Sequence, residues 1–268
     1  MNKWIAGARP KTLPAAIAPV AVATALAGES WDPVLALLAL LVSLALQVGV
    51  NYANDYSDGV KGTDDNRIGP MRLVASGAAP AHHVKSAAYI ALGIGAVFGL
   101  ILALQTSLWL IAVGALAIAA AWGYTGGKNP YGYFGFGELS VFVFFGLVAT
   151  MGTYYAQTGE LTLNSLLIAI PMGCLSCALL AINNLRDRAA DELVGKRTLA
   201  VRLGDSSARK AFISLLLIAH ISVLFLLQPW TLLTLLLLQM TFSLIKAIRA
   251  GAQGAQLIPL LGKTGQLQ

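Results

Sequence analysis

The chain has 268 residues, of which 57% are hydrophobic and 11% charged, and its formal net charge is +6. A soluble domain has about 25% charged residues, so the composition excludes a soluble protein and predicts one that lies in a membrane. The positive charge needs no nucleic-acid partner, because basic inner loops orient membrane proteins and face anionic lipid.

Eight apolar runs are predicted as helices, because in lipid the backbone must satisfy its own hydrogen bonds. They cover residues 12–28, 34–54, 86–104, 108–124, 137–157, 162–184, 210–228 and 230–247. The first run is followed at once by more apolar sequence, so it is interpreted as a span or an anchor and not as a cleaved leader. The sequence predicts an all-α, polytopic membrane helix bundle of one domain, with about eight transmembrane helices.

Basic residues lie on one side of this arrangement. All 18 Lys and Arg residues fall in the segments 1–11, 55–85, 125–136, 185–210 and the tail from 246. The predicted outer turns carry only Glu29, Asp32 and Glu160. Cytoplasmic loops are enriched in Lys and Arg, so the pattern predicts a multi-pass plasma-membrane protein whose N-terminus and basic loops are cytoplasmic.

Two acidic clusters, residues 51–59 and 183–191, follow long apolar runs and lead into basic loops. Carboxylates beside a bilayer core are costly, which indicates a functional site. The chain divides into two repeats of four helices, about 1–135 and 136–268, with one cluster at the second helix of each. An even number of helices per repeat predicts that both clusters lie on the same side of the membrane.

The acidic residues are candidates for a magnesium site. Mg²⁺ is usually held by one or two carboxylates together with substrate phosphates. Asn54, Asp55 and Asp58 can supply one side of such a site. Asp187 and Asp191 can supply the other, if the sixth helix continues that far. We expect the four aspartates to act in catalysis, since a metal held there can stabilise pyrophosphate as a leaving group.

Cations near the clusters can contact phosphate oxygens. These are Arg67 and Arg72 after the first cluster, and Arg186, Lys196 and Arg197 around the second. If the lipid is allylic, loss of diphosphate leaves a cation that aromatic rings can stabilise. Candidate rings are those of Tyr52, Tyr56, Trp122, Tyr124, Tyr131, Tyr133, Phe142, Phe144 and Phe145.

Long phrases of the sequence resemble the UbiA superfamily of intramembrane prenyltransferases. They include residues 7–14 (GARPKTLP), 47–56 (QVGVNYANDY), 129–133 (NPYGY), 183–187 (NNLRD) and 195–204 (GKRTLAVRLG). Within the superfamily the phrases are most similar to members, actinobacterial ones in particular, that prenylate 1,4-dihydroxy-2-naphthoate in menaquinone synthesis. The resemblance extends over about residues 4–264.

The resemblance implies an activity and a set of site residues. The reaction would transfer a polyprenyl group from polyprenyl diphosphate to 1,4-dihydroxy-2-naphthoate, with loss of CO₂ and diphosphate, and would require Mg²⁺. Tyr124 and Lys128 match an element whose lysine contacts diphosphate, and Arg9 and Lys11 would offer cations from the first helix. The full set expected to bind substrate is Arg9, Lys11, Asn51, Asn54, Arg67, Tyr124, Lys128, Glu138, Asn183, Asn184, Arg186 and Lys196.

The sequence departs from the superfamily in two ways. Gly62 stands where a further aspartate is common, so that Asp64 or Asp65 could substitute as a ligand. The chain also ends where a ninth helix should begin, and this helix is expected to be missing. Glu138 could orient the acceptor ring or merely favour a helix N-terminus.

Other functions stay open at this point. The alternatives are a UbiA-type enzyme with another aromatic acceptor, such as 4-hydroxybenzoate or homogentisate, a membrane transporter, and a CDP-alcohol phosphotransferase. The last shares the Asp-x2-Asp-Gly start at residues 55–59, but it then needs Ala-Arg where this chain has Gly62 and Thr63.

Overall fold

The computed structural model describes residues 2–64 and 69–268. In these ranges we number ten helices in chain order, leaving aside isolated single turns. They are α1 (Lys3–Ala8), α2 (Pro14–Leu26), α3 (Pro33–Val60), α4 (Ala81–Gln105), α5 (Trp109–Gly123), α6 (Gly137–Thr158), α7 (Leu163–Leu193), α8 (Leu199–Leu224), α9 (Pro229–Arg249) and α10 (Leu257–Leu267).

The eight predicted apolar runs are all helical, which confirms an all-α membrane bundle. Among the described residues, six helices are long and apolar enough to cross a membrane: α3, α4, α6, α7, α8 and α9. The other two, α2 and α5, are shorter, at 13 and 15 residues. The number of eight spans therefore stays a prediction. A further helix of 11 residues, α10, lies where the start of a ninth was expected.

Helices α3 and α7 continue past the predicted ends at 54 and 184 and carry both acidic clusters on helical backbone. Each ends in the same glycine-terminated motif. Gly62 and Gly195 adopt positive φ, and the next residue's N–H donates to the carbonyl of Asp58 or Asp191. Glycine adopts this conformation without the steric cost of a Cβ. Gly62, which departs from the superfamily pattern, thus terminates α3.

Helix α8 begins at Leu199, whereas the prediction placed its start at 210. Charged and polar residues interrupt the apolar pattern between Arg202 and Lys210, so the pattern did not reveal this part of the helix. Gly204 interrupts the helix with φ 73° and ψ 170°. This break separates the short amphipathic start from the apolar remainder of the helix.

The bundle core lies between α7, α8, α9 and α10, where Phe212, Leu216, Leu244 and Ile248 are fully buried. Helix α6 contains a π-helical segment, Phe142–Val148. There the backbones of α6 and α7 approach closely: a Cβ added to Gly146 would lie 2.5 Å from the Cα of Gly173. Small residues allow such close helix packing in membranes.

Substituting Gly146 by Ala is expected to destabilise the bundle, because the new methyl group meets backbone that cannot rotate away. Overpacking of this kind costs about 1–3 kcal/mol. Thermal unfolding of the detergent-solubilised protein should show a clear drop in Tm. Gly152→Ala is the matched control, since an added Cβ there meets nothing within 4 Å. An equal Tm for the two variants would contradict the close approach.

Candidate active site

A cavity of about 500 Å³ lies between α2, α3, α5, α6 and α7, next to the ends of the helices that carry the acidic clusters. Its polar lining includes Arg9, Lys11, Gln47, Asn51, Asn54, Asp58, Arg72, Asn183, Asn184, Arg186 and Lys196. Its apolar lining includes Leu46, Val50, Ala117, Val141, Phe144, Phe145, Leu179 and Leu180. One chamber therefore offers a charged region and a hydrophobic region to the same ligand.

Helix α3 presents one polar face to this cavity. Gln47, Asn51, Asn54 and Asp58 follow one another in steps of four, three and four, which places them on the same side of the helix. All four line the cavity. The side chain of Asn54 is held by Thr125, whose hydroxyl donates to its Oδ1 at 2.8 Å.

Asp55 is absent from the residues lining this cavity, although it lies between Asn54 and Asp58 in sequence. Its carboxylate is completely buried and accepts the backbone N–H groups of Leu73 and Val74 at 2.8 and 3.0 Å. In this structure Asp55 therefore holds the segment at Leu73 and Val74 against α3. Its predicted metal-binding and catalytic roles stay predictions.

Lys196 joins the two acidic clusters. Its Nζ lies 3.3 Å from Oδ2 of Asp58 and 3.8 Å from Oδ1 of Asp191. Because both distances are measured from the same nitrogen, the two carboxylate oxygens can be no farther apart than the sum of the distances, 7.1 Å. Burial lowers the pKa of Lys196, but the carboxylates of Asp58, Asp191 and Asp64 outweigh it and hold the pKa above its usual range. The bridge is thus an ammonium ion between two carboxylates.

Tyr133 completes the surroundings of Asp58. Its hydroxyl donates to Oδ1 of Asp58 at 2.7 Å. Burial and the nearby Asp58 carboxylate raise the pKa of Tyr133, so the phenol keeps its proton. The ammonium groups of Lys61 and Lys196 lie 4.8 and 5.1 Å from the centre of its ring. In the sequence Tyr133 is only one of several candidate aromatic residues, and the residue spacing gives no indication of its hydrogen bond to the acidic cluster.

The second cluster is organised around Arg186. Its guanidinium forms a bidentate pair with Asp187, with both N···O distances 2.7 Å, and also donates to Oδ1 of Asn183. Such bidentate pairs are among the strongest hydrogen-bonded contacts in proteins. Arg186 and Asn183 line the cavity, whereas Asp187 is not among its lining residues.

The N-terminal segment reaches the same cavity. Arg9 adopts φ 54°, a conformation that costs energy for a residue with a side chain. Its guanidinium donates to the carbonyl of Asn51, and the Asn51 amide donates to the carbonyl of Ala8. These bonds hold Arg9 at the cavity, which Lys11 also lines. The roles that the resemblance implies for the two cations stay predictions.

Arg72 also lines the cavity, and its Nε lies 3.1 Å from Oδ2 of Asp64. Nη1 of Arg72 is buried without a hydrogen-bond partner among the described residues. An unsatisfied buried donor is costly, so this nitrogen is suited to an anionic ligand. In the sequence Arg72 follows the first cluster, and the fold brings its side chain to the cavity.

Five of the predicted residues that the structure describes are not among those that line this cavity: Asp55, Asp187, Asp191, Lys128 and Glu138. Lys128 is exposed and absent from its lining. Glu138 lines a second, more apolar cavity, and its Oε1 accepts a hydrogen bond from Asn184 at 2.9 Å. Glu138 thus reaches the main cavity only through Asn184. Arg67 lies outside the described residues. Tyr124, by contrast, lines the main cavity.

Residues 16–254 match the UbiA prenyltransferase family. The chain belongs to this family. The 1,4-dihydroxy-2-naphthoate octaprenyltransferase of Mycobacterium tuberculosis is 51% identical, over 98% of this chain and 91% of the relative. The enzyme of that name from Escherichia coli is 43% identical, over 80% of this chain and 72% of the relative. The resemblance expected from the sequence is confirmed.

Solved structures of UbiA homologs share the fold of this family member. The homolog from Archaeoglobus fulgidus bound to DMAPP and Mg²⁺ has a TM-score of 0.69 at 15% identity, and the match covers 99% of this chain and 95% of that one. The apo homolog from Aeropyrum pernix has a TM-score of 0.71, over 96% and 95% of the two chains. At this identity the likeness shows the fold alone.

We expect Asp55→Asn to loosen the contact of Leu73 and Val74 with α3. Asparagine has one acceptor oxygen instead of two, so one of the two hydrogen bonds from these amides is lost and the other is no longer charge-assisted. Such bonds contribute about 1.5–3 kcal/mol each. Hydrogen exchange at the Leu73 and Val74 amides should become roughly tenfold faster or more. Asp58→Asn should leave both amides protected, because its carboxylate contacts Tyr133 and Lys196 instead. Unchanged exchange in Asp55→Asn would refute the clamp.

Proposed function

We propose that this UbiA-family chain transfers a polyprenyl group from polyprenyl diphosphate to 1,4-dihydroxy-2-naphthoate, with release of diphosphate and CO₂. The observation that carries the proposal is the meeting of two acidic clusters, through Lys196, at one cavity with an apolar continuation. A charged region suits diphosphate, and the apolar region suits an isoprenoid chain. The near relatives supply the identity of the acceptor.

The residues present fit a magnesium ion. Mg²⁺ takes oxygen ligands, commonly one or two carboxylates plus phosphates. Asn54 and Asp58 face the cavity from α3, and Asp191 faces Asp58 across a cation that stands between them. Among the described residues, no three His, Cys, Asp or Glu side chains are grouped to hold an ion by themselves. Substrate phosphates would therefore have to complete the coordination.

We propose Asn54, Asp58 and Asp191 as the residues that hold the ion in the folded protein. A metal bound there would act as a Lewis acid on the diphosphate. Asp187 is paired with Arg186 in this structure, so we assign it to positioning that guanidinium. Asp55 positions the loop that carries Arg72.

Cations at the cavity bind the diphosphate in this scheme. Arg9, Arg72, Arg186 and Lys196 all line it. The prenyl C–O bond breaks, and its electron pair leaves with the diphosphate, whose growing charge these cations stabilise. The apolar side chains that line the cavity, such as Val141, Phe144 and Leu180, keep bulk water away from the allylic cation.

The allylic cation and the acceptor ring react beside the apolar lining of the cavity. The rings of Tyr124, Tyr131, Phe144 and Phe145 face the cavity and can stabilise the allylic cation by cation–π contact. The new C–C bond forms at the ring carbon that carries the carboxylate, which departs as CO₂. Glu138 would influence the acceptor indirectly, by orienting Asn184.

The chain is a multi-pass membrane protein, and we propose that the active-site side faces the cytoplasm. All the basic segments lie on that side of the predicted topology, and the positive-inside rule applies to short loops such as these. Protease accessibility of the loop between α7 and α8 in sealed vesicles of known orientation tests this assignment.

Product analysis tests the proposed reaction. The purified protein, supplied with Mg²⁺ and a mixture of aromatic acceptors and prenyl diphosphates, should yield prenylated, decarboxylated naphthoquinol by mass spectrometry. Asp58→Asn should lower kcat by at least ~100-fold, because removing one well-placed electrostatic group costs about 2.7–4 kcal/mol. Lys210→Met, a charge change at an exposed position on α8, should retain activity. Prenylation of a different acceptor alone would overturn the acceptor assignment.

Tyr133→Phe should lower kcat about tenfold while the protein stays folded. The ring under Lys61 and Lys196 is kept, but Asp58 loses its hydrogen bond and with it a fixed orientation. A hydrogen bond to a charged group contributes about 1.5–3 kcal/mol. Steady-state kinetics at saturating Mg²⁺ measures the effect. Wild-type kcat in this variant would show that the hydroxyl does not position Asp58.

A further inference from the structure

We propose that Lys196 is a built-in counter-ion that occupies the place between the two acidic clusters before magnesium arrives and yields it when the metal and diphosphate bind. The inference rests on the proposed function for the identity of the metal. It gives Lys196 two successive partners: the carboxylates of Asp58 and Asp191 first, and the phosphate oxygens afterwards.

The position of the ammonium group supports the first partnership. Nζ lies within 3.3 and 3.8 Å of carboxylate oxygens from two different helices, and the Lys196 side chain is 15% exposed. Without a cation there, two carboxylates no more than 7.1 Å apart would repel each other inside a poorly solvated site. Lys196 removes this repulsion when no metal is present.

The backbone holds Lys196 at this place. It is the residue that follows Gly195 at the end of α7, and its N–H donates to the carbonyl of Asp191 at 2.8 Å. The lysine is therefore anchored at the helix end that carries one of its two carboxylate partners. Its flexible side chain can still move, because four rotatable bonds separate Nζ from that anchor.

A resting place for the displaced ammonium lies beside it. Lys196 already lines the cavity, and its Nζ is 5.1 Å from the centre of the Tyr133 ring. Rotation of the side chain toward the cavity would exchange the carboxylates for phosphate oxygens, and the nearby ring of Tyr133 would continue to stabilise the cation. Metal and lysine therefore compete in the absence of diphosphate and cooperate in its presence.

Metal binding without substrate tests the competition. Mn²⁺, a paramagnetic substitute for Mg²⁺, can be titrated into the full chain in detergent, with free Mn²⁺ followed by electron paramagnetic resonance. Lys196→Met should bind Mn²⁺ at least tenfold more tightly than the wild type, because a competing cation is gone. It should also have a lower Tm in EDTA, and Mn²⁺ should restore that Tm.

Two control variants separate competition from general damage. Lys196→Arg keeps the positive charge and should keep Mn²⁺ affinity near the wild-type value. Lys210→Met removes an exposed lysine on α8, away from the cavity lining, and should behave as the wild type does. Equal or weaker Mn²⁺ binding by Lys196→Met, or an unchanged Tm in EDTA, would overturn the proposal.

A second measurement needs no variant and keeps the proposal testable if Lys196→Met does not fold. Amine acetylation of the wild type, quantified by peptide mass spectrometry, should label Lys196 slowly in EDTA. Addition of Mg²⁺ alone should raise its labelling severalfold, and adding inorganic pyrophosphate as well should lower it again. Lys210 is the internal reference. Labelling of Lys196 that does not respond to Mg²⁺ would contradict displacement.

These readouts are separate from turnover. If Lys196→Met binds Mn²⁺ more tightly than the wild type, but the wild type transfers no prenyl group to any acceptor, the proposed function fails and the counter-ion role stands. If prenyl transfer is found and Lys196→Met gains no Mn²⁺ affinity, the function stands and the counter-ion role fails.

Discussion

The site depends on bringing four buried aspartates to one region of a membrane protein without leaving their charge uncompensated. The bridge from Lys196 to Asp58 and Asp191 meets part of this requirement, and the bidentate pair of Arg186 with Asp187 meets another. The backbone amides of Leu73 and Val74 compensate Asp55. Each carboxylate in this low-dielectric setting therefore has a donor, as buried charges require.

The two acidic clusters look equivalent in sequence, but their aspartates have different partners and therefore different roles. In sequence, Asp55 corresponds to Asp187, since each stands four residues after an asparagine. In the structure the residues that correspond are Asp58 and Asp191, which occupy the same position in the glycine-terminated ends of α3 and α7 and share one lysine. The helix termini, and not the residue spacing, determine which carboxylates meet.

The sequence was sufficient for the fold class and for the region of the site. Long uncharged runs leave helices as the economical structure in lipid, and the two clusters stand out because charge is otherwise sparse. The sequence did not predict the contacts that depend on the orientation of each helix about its axis and on where each helix ends. The first part of α8 has no continuous apolar pattern, because charged and polar residues occur between Arg202 and Lys210, and the bond from Tyr133 to Asp58 joins residues 75 apart. Nothing local in the chain encodes either feature.

The placement of Lys196 also explains why one residue can serve two states of the site. A metal site made only of carboxylates would be destabilised whenever it is empty, because like charges would face each other in a dry cavity. A permanent ion pair would instead block the metal. A lysine with an anchored backbone and a mobile side chain avoids both difficulties, since its charge stays in the site while its position changes. Arg186, held by two short bonds to Asp187 and a third to Asn183, lacks this freedom. Within this cavity Arg186 is therefore a positive charge at a fixed position, whereas Lys196 is a positive charge whose position can change.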